Sequence, residues 1–228
     1  MRLGIVADVH CNAEALRIAL ERMGDVDELI CAGDAVYQFR FSNEVMRLLR
    51  EREARYVLGN HEETLLGRWG QHARSAAWVD ASELAYMASR PGRIETVVDG
   101  KRLLVVHGSP FEPRYEYVYP NSPTLSRMAE TGVDYVVLGH THYQMAERVG
   151  GTLVVNPGSA GEGRDPRNAF QLSYAVLDTA TGEVAFGDFP DPTRAAVDPS
   201  IIPGGATGTR HAAARDEPVN RNTGFWLP

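Results

Sequence analysis

Short apolar runs alternate with amphipathic stretches through the first quarter of the chain. Leu3 to Ala7 reads as a buried strand, Asp8 to Asn12 as the loop after it, and Ala13 to Met23 as a helix. In that helix Leu16, Ala19, Leu20 and Met23 recur at helical spacing, with Asn12 placed to cap it and Gly24 to end it. Leu29 to Ala32 predicts a second strand ending at Gly33-Asp34. Ser42 to Arg52 predicts a helix with Val45, Leu48 and Leu49 inward, and Arg55 to Leu58 a third strand ending at Gly59-Asn60. The order βαβαβ predicts parallel strands joined by right-handed crossovers.

The pattern then loosens. A helical stretch covers Glu62 to Ala88 with an interruption at Gly67 to Gly70, and Pro91-Gly92 closes it. Ile94 to Val98 and Arg102 to Val106 flank Asp99-Gly100, which predicts a tight hairpin. Pro123 to Glu130 predicts a helix capped by Ser122 and stopped by Gly132. Tyr135 to Leu138 reads as a strand ending at Gly139-His140. Four further segments, Met145 to Val149, Leu153 to Val155, Leu172 to Leu177 and Val184 to Phe186, read as antiparallel strands turned at Gly150-Gly151 and Thr181-Gly182. The expected organisation is one domain over residues 1–188. Residues 189–228 form a Pro/Gly/Ala-rich tail or docking arm, with Phe225-Trp226-Leu227 as an apolar hook through which copies of the chain can associate.

Composition narrows the function. A formal charge of −7 over 228 residues argues against a broad interface with a nucleic-acid backbone, so no stable nucleic-acid complex is expected. A small phosphorylated substrate remains compatible, because bound divalent cations supply a local positive field that charge counting misses. With two cysteines, Cys11 and Cys31, the composition argues against a disulfide framework and fits a reducing compartment. No apolar stretch is long enough to span a bilayer, and no leader precedes the first strand; the expectation is a cytoplasmic protein.

The Asp, Asn and His residues fall at a recurring place. Asp8 and His10 follow the first strand, Asp34 the second, and Asn60 with His61 the third. His107 ends the strand 103–106, and His140 and His142 follow the strand 135–138. Ligands of open α/β sheets bind at that edge, where the loops converge on one crevice. Members of the pairs Asp8/His10 and His140/His142 are two residues apart, a spacing that in extended chain aims both side chains the same way. Asp8, His10, Asp34, Asn60, His107, His140 and His142 are all nitrogen or oxygen donors, a set suited to manganese, iron, nickel or zinc rather than calcium. Seven donors exceed one tetrahedral site and suit two ions sharing a carboxylate. Any one of these residues alone would more often be structural. Asp34 is also a plausible turn residue and Asn60 a helix cap, and it is their common position that singles them out.

Asp8-Val9-His10, Gly33-Asp34, Gly59-Asn60-His61-Glu62, His107-Gly108 and Gly139-His140-Thr141-His142 occur in the order of the calcineurin-like metallophosphoesterases, which the chain resembles over residues 1–188. Asn156-Pro157-Gly158-Ser159 resembles a motif of the small prokaryotic phosphodiesterase members. The resemblance implies an α/β fold, a four-layer αββα sandwich of two mixed β-sheets flanked by helices. It further implies that Asp8, His10 and His142 bind one metal, that Asn60, His107 and His140 bind a second, and that Asp34 bridges them. A metal-bound hydroxide would attack phosphorus, and His61 would stabilise the phosphoryl group or protonate the leaving oxygen. Cys11 and Glu62 stand where many relatives have Gly and Asp. Ala35-Val36-Tyr37-Gln38 follows Asp34 where the phosphoprotein phosphatases carry an Asp-Arg pair; Arg40 is the nearest substitute. The expected function is therefore hydrolysis of a phosphodiester or phosphomonoester. The alternatives are a nuclease, a non-catalytic metal-binding scaffold of the kind found in the retromer subunit of this family, and a phosphoprotein phosphatase.

Overall fold

The computed structural model describes residues 1–194, and the expectations for the tail beyond them lie outside the described residues. The elements run β1 (Arg2–Val6), α1 (Ala13–Arg22), β2 (Glu28–Cys31), α2 (Asn43–Glu51), β3 (Arg55–Tyr56), α3 (Asn60–Leu66), α4 (Gln71–Arg74) and α5 (Ala81–Ala88). They continue with β4 (Arg93–Val98), β5 (Lys101–Val106), α6 (Pro123–Ser126), β6 (Tyr135–Val137), β7 (Gln144–Val149), β8 (Thr152–Pro157), β9 (Leu172–Asp178) and β10 (Glu183–Phe189). Two five-stranded sheets result, ordered β10-β9-β1-β2-β3 and β4-β5-β6-β8-β7.

Both sheets are mixed. In the first, β1 pairs parallel with β2 and β2 with β3, while β9 and β10 add antiparallel at one edge. In the second, β5, β6 and β8 are parallel, with β4 and β7 antiparallel at the two edges.

Residue alternation along the central strands builds the layers. Leu3 and Ile5 of β1 and Ile30 of β2 pack with Leu103 and Val105 of β5, Val137 of β6 and Val155 of β8 in a core between the sheets. The intervening Val6 and Cys31 turn the other way and meet Leu16, Ala19 and Leu20 of α1 and Val45, Met46 and Leu49 of α2. On the far side, Leu104, Val106, Val136 and Val154 pack against Leu125 and Met128. Because strands with both faces buried have no polar side to spare, they read as near-continuous apolar runs. Helix, sheet, sheet and helix stack as the expected αββα sandwich.

Two of the three local capping signals hold; the Ser122 hydroxyl makes no cap bond to its helix and pairs with Tyr119 N–H instead. Asn12 Oδ1 accepts from Ala15 N–H at 3.1 Å, and Ser42 Oγ from Val45 N–H at 3.2 Å. The stretch expected to be helical over 62–88 with an interruption at Gly67 to Gly70 is three short helices and a 3-10 turn: the interruption is there, and a second break precedes α5. Its backbone turns extended at Gly67 and restarts behind Asp80, whose carboxylate accepts from Ser82 and Glu83 N–H at 2.8 and 3.4 Å. The helix expected over 123–130 tightens into a 3-10 turn after Ser126, closed by Gly132 in the left-handed region. Among the described residues, no helix is long and apolar enough to cross a membrane.

Leu103 lies fully buried between the sheets, whereas Val97 on the edge strand is 61% exposed. Leu103→Ala is expected to lower the unfolding free energy by about 2–5 kcal/mol. Val97→Ala is expected to change it by about 0.5 kcal/mol or less. Urea unfolding of both variants checks this, and equal effects would contradict the inter-sheet core.

Candidate metal centre

The loops after β1, β2, β3, β5 and β6 meet at one end of the sandwich, above the seam between the sheets. They bring together all eight residues singled out in the sequence, including five of the seven histidines. Asp8, His10 and His142 place one potential ligand atom each within a common cluster. Asp34, His107 and His140 form another, and His10, Asp34 and His61 a third that overlaps both. Asn60 joins the second through a 3.0 Å approach of its Oδ1 to His107 Nε2. His72 sits exposed on α4, outside these clusters. His211 lies beyond the described residues.

The loop geometry corrects one step of the sequence argument. Asp8, His10, His140 and His142 are not in extended chain: each has φ between 50° and 69°, and Asp34 has φ 53°. The side chains converge because the backbone coils through left-handed conformations, not because alternate residues of a strand share a face. Each such residue costs about 1–2 kcal/mol relative to ordinary backbone, a strain that surrounding contacts must hold. Several backbone bonds do so: Asp8 N–H donates to Gly33 O, His10 N–H to Asp34 O and Cys11 N–H to Ala35 O, at 2.9–3.0 Å.

Hydrogen bonds fix the direction of every ring. His10 Nδ1 faces the Val36 carbonyl at 3.2 Å, and His142 Nδ1 faces the Glu162 carbonyl at 2.8 Å. A carbonyl only accepts, so both rings donate from Nδ1 and turn bare Nε2 atoms inward. Those two Nε2 atoms stand 3.0 Å apart, and His142 Nε2 lies 3.3 Å from Asp8 Oδ1. Asp8 Oδ1 is buried and accepts no hydrogen bond. Three lone-pair donors thus converge where no proton donor is offered, an arrangement that a bound cation satisfies. In the second cluster, His107 Nδ1 donates to the Ala32 carbonyl at 2.8 Å, which aims Nε2 at Asp34 Oδ2, 3.1 Å away. His140 donates from Nε2 to the Tyr115 carbonyl at 3.2 Å and keeps Nδ1 for the centre.

The electrostatics agree. Burial pushes His10 and His140 down to about 4, which keeps both rings neutral at neutral pH. Burial also works against charge on His107, yet Asp34 lifts it to about 10, a measure of the negative field in the seam. Burial opposes ionisation of Asp8 and Asp34 as well, but the positive charge on His107 works against it at both, and both stand below their ordinary range. Both carboxylates therefore remain charged.

His61 differs from the others. Gln38 N–H donates to its Nδ1 at 2.8 Å, so the neutral ring carries its proton on Nε2, 3.6 Å from Asp34 Oδ2. Burial lowers its pKa and Tyr37 stacks on it, with centroids 4.9 Å apart. Arg40 lies over the outer side of Tyr37, 4.5 Å from the ring centroid, and both line a cavity of about 330 Å³ beside His10.

Supporting residues complete the frame. Glu62 is fully buried and accepts from Asp34 N–H, Val36 N–H, Gly59 N–H and the Tyr56 hydroxyl at 2.7–3.1 Å. Burial and the nearby Asp34 raise it to about 7. Asn156 donates to the Gly139 carbonyl and Thr141 hydroxyl, and Ser159 to the Asp8 carbonyl. The Asn-Pro-Gly-Ser block therefore braces the loops that carry Asp8 and His140 without entering the cluster. Two glycines are set by clearance: a Cβ on Gly33, whose φ is 94°, would lie 2.6 Å from His107 Nδ1, and one on Gly59 would overlap Asp34 Oδ1.

Sequence reasoning missed the carbonyls of Val36, Glu162 and Tyr115 that set the histidine tautomers, and these have no side-chain signature. Nor does the sequence show that Tyr117 stacks on His140. Tyr115, Tyr117 and Tyr119 alternate at strand spacing in the sequence, which reads as packing, a surface between copies or a base-stacking platform without placing them beside His140.

Two five-stranded sheets in an αββα sandwich carry this ring of Asp, Asn and His at their strand ends. The chain belongs to the calcineurin-like phosphoesterase superfamily, whose domain model matches residues 1–182. It is 26% identical to an uncharacterized protein of Methanocaldococcus jannaschii over 204 residues, 77% of this chain and 82% of that one. The crystal structure of a metallophosphoesterase from Sphaerobacter thermophilus is 29% identical, covers 84% of this chain and 89% of its own, and superposes with a TM-score of 0.65. An archaeal phosphodiesterase shares the fold at 21% identity and TM-score 0.54, covering 83% of this chain and all of its own.

Glu62→Gln removes no atom of the ring but leaves one oxygen to accept four donors. It is expected to weaken manganese binding about 10- to 100-fold, the usual effect of losing a group that orients ligands. Calorimetric titration of metal-stripped protein checks this; unchanged affinity would show that the loop 33–36 keeps its shape without Glu62.

Proposed function

We propose that the chain is a hydrolase of small phosphodiesters or phosphomonoesters that works with two divalent ions. Asp8, His10 and His142 would hold one, Asn60, His107 and His140 the other, and Asp34 would bridge them. The observation that carries the reading is the convergence of Asp8 Oδ1 and the bare Nε2 atoms of His10 and His142 with no donor among them. The imidazole and carboxylate donors suit manganese, iron, nickel or zinc. When bound, such ions would screen the phosphoryl charge and lower the pKa of a water to supply the nucleophile.

The chain's own residues account for the remaining demands. Asp34, ionised and tied by His61 N–H at 2.9 Å, holds one position relative to both clusters. His61 presents its Nε2 proton toward the centre, placed to donate to a phosphoryl or leaving-group oxygen as negative charge grows there. Tyr37 and the Gln38 backbone keep that ring from turning. The cysteines are unpaired, which fits the cytoplasmic location we assign. Presence of His61 beside a full donor set favours an enzyme over a scaffold.

Metal-stripped protein should hydrolyse neither bis-p-nitrophenyl phosphate nor p-nitrophenyl phosphate until manganese, nickel, iron(II) or zinc is returned. His61→Ala is expected to lower kcat by about 10²- to 10⁴-fold with metal still bound, the range for loss of a general acid. Asp34→Asn should abolish turnover and weaken metal uptake together. Stoichiometric metal binding without turnover of either ester would favour the scaffold.

A further inference from the structure

Tyr115, Tyr117 and Tyr119 belong to a segment that pairs with no strand yet alternates like one. Between them, Val118 is buried in the outer core of the second sheet, and Glu116 accepts from the Ser109 and Thr124 hydroxyls. The Tyr115 carbonyl takes the His140 Nε2 proton, the Tyr115 hydroxyl reaches Glu63 at 3.0 Å, and Tyr119 N–H donates to Ser122 Oγ at 2.8 Å. These anchors at both ends and from beneath turn the tyrosine rings outward, leaving Tyr117 53% and Tyr119 37% exposed.

The exposed rings lead away from the centre in a row. Tyr117 stacks on His140 with centroids 3.9 Å apart and planes at 26°. Tyr119 is parallel to Tyr117 within 6°, at 6.4 Å, and meets Tyr143 edge-on at 5.7 Å. Arg167 covers Tyr143 at 3.5 Å. A planar group lying flat against either Tyr117 or Tyr119 is thus parallel to both rings, and little ring freedom remains to be lost when it arrives.

We propose that Tyr117 and Tyr119 form a stacking bench for a nucleobase attached to the phosphate held at the neighbouring centre. The substrate class is then a phosphodiester of one or two nucleotides. The proposal rests on the phosphoesterase reading above. A bench that starts on a ring of the centre lies beside whatever group the phosphate carries. Stacking tolerates any base, because each offers a π-face. The net charge of −7 and the short row of rings favour a small nucleotide over a long strand.

The test uses the full chain and two diesters with the same leaving group, ethyl p-nitrophenyl phosphate and thymidine 5′-p-nitrophenyl phosphate. Their ratio of kcat/KM cancels damage common to both. The nucleoside ester should be preferred, mainly through KM, by about 5- to 150-fold, the range for stacking one base on an aromatic side chain. Tyr117→Leu and Tyr119→Leu should bring the ratio towards one, and Tyr119→Phe should retain it. Calorimetric binding of thymidine 5′-monophosphate against inorganic phosphate gives a readout independent of turnover. Tighter, Tyr119-dependent nucleotide binding with neither ester hydrolysed would sustain the bench and reject the hydrolase. A ratio near one in the unaltered protein, or one unmoved by Tyr119→Leu, overturns the bench even where both esters are hydrolysed.

Discussion

Two ionised carboxylates buried in the seam between two apolar sheets are the constraint on which the other features depend. Asp8 and Asp34 are no more than 1% exposed, and burial alone would neutralise them. The histidines around them hold them charged, and the field they create in turn raises His107. Such an arrangement is unfavourable as a packing core and becomes reasonable as a receptacle for cations. The strained left-handed residues, the two clearance glycines and the buried Glu62 all serve to keep those carboxylates where they are.

Rigidity around the centre comes from backbone groups as much as from side chains. Each histidine that faces the centre is oriented by a carbonyl on its far nitrogen, from Val36, Ala32, Tyr115 or Glu162. His61 is oriented the opposite way, by an N–H, and so keeps its proton on the inward nitrogen. The same residue type therefore turns bare nitrogens inward at His10, His140 and His142 and a proton inward at His61, according to the backbone group behind it, while Asp34 keeps His107 protonated until a cation takes the proton's place. That division gives the proposed acid and the proposed ligands their separate roles.

The segment from Tyr115 to Tyr119 connects this frame to the surface. Its carbonyl orients His140, its Val118 belongs to a core, and its tyrosines face outward beside the centre. One stretch of chain thus couples packing, ligand orientation and the face offered to a substrate. A change in its inward residues would be felt at His140, whereas a change at Tyr119 acts on the surface alone.

Much of this was legible in the residues themselves. Runs such as Leu3 to Ala7 and Tyr135 to Leu138 set strands through their apolar continuity, and Asn12 and Ser42 marked helix starts through local hydrogen bonding, which depends only on neighbours in sequence. The eight Asp, Asn and His residues were visible because each follows a strand that the apolar pattern already placed. Other features depended on partners far along the chain. The helical stretch expected over 62–88 breaks at Gly67 as expected, but it breaks a second time after Arg74 and restarts only where Asp80 caps α5. The aim of Asp8, His10, His140 and His142 comes from left-handed backbone held by bonds to distant loops, not from strand alternation. Histidine tautomers depend on carbonyls that carry no residue identity, and Tyr117 reaches His140 only through the fold. Sequence determined which groups lie at the strand ends; tertiary structure decided how they point, because orientation is set by backbone contacts between segments remote in the chain.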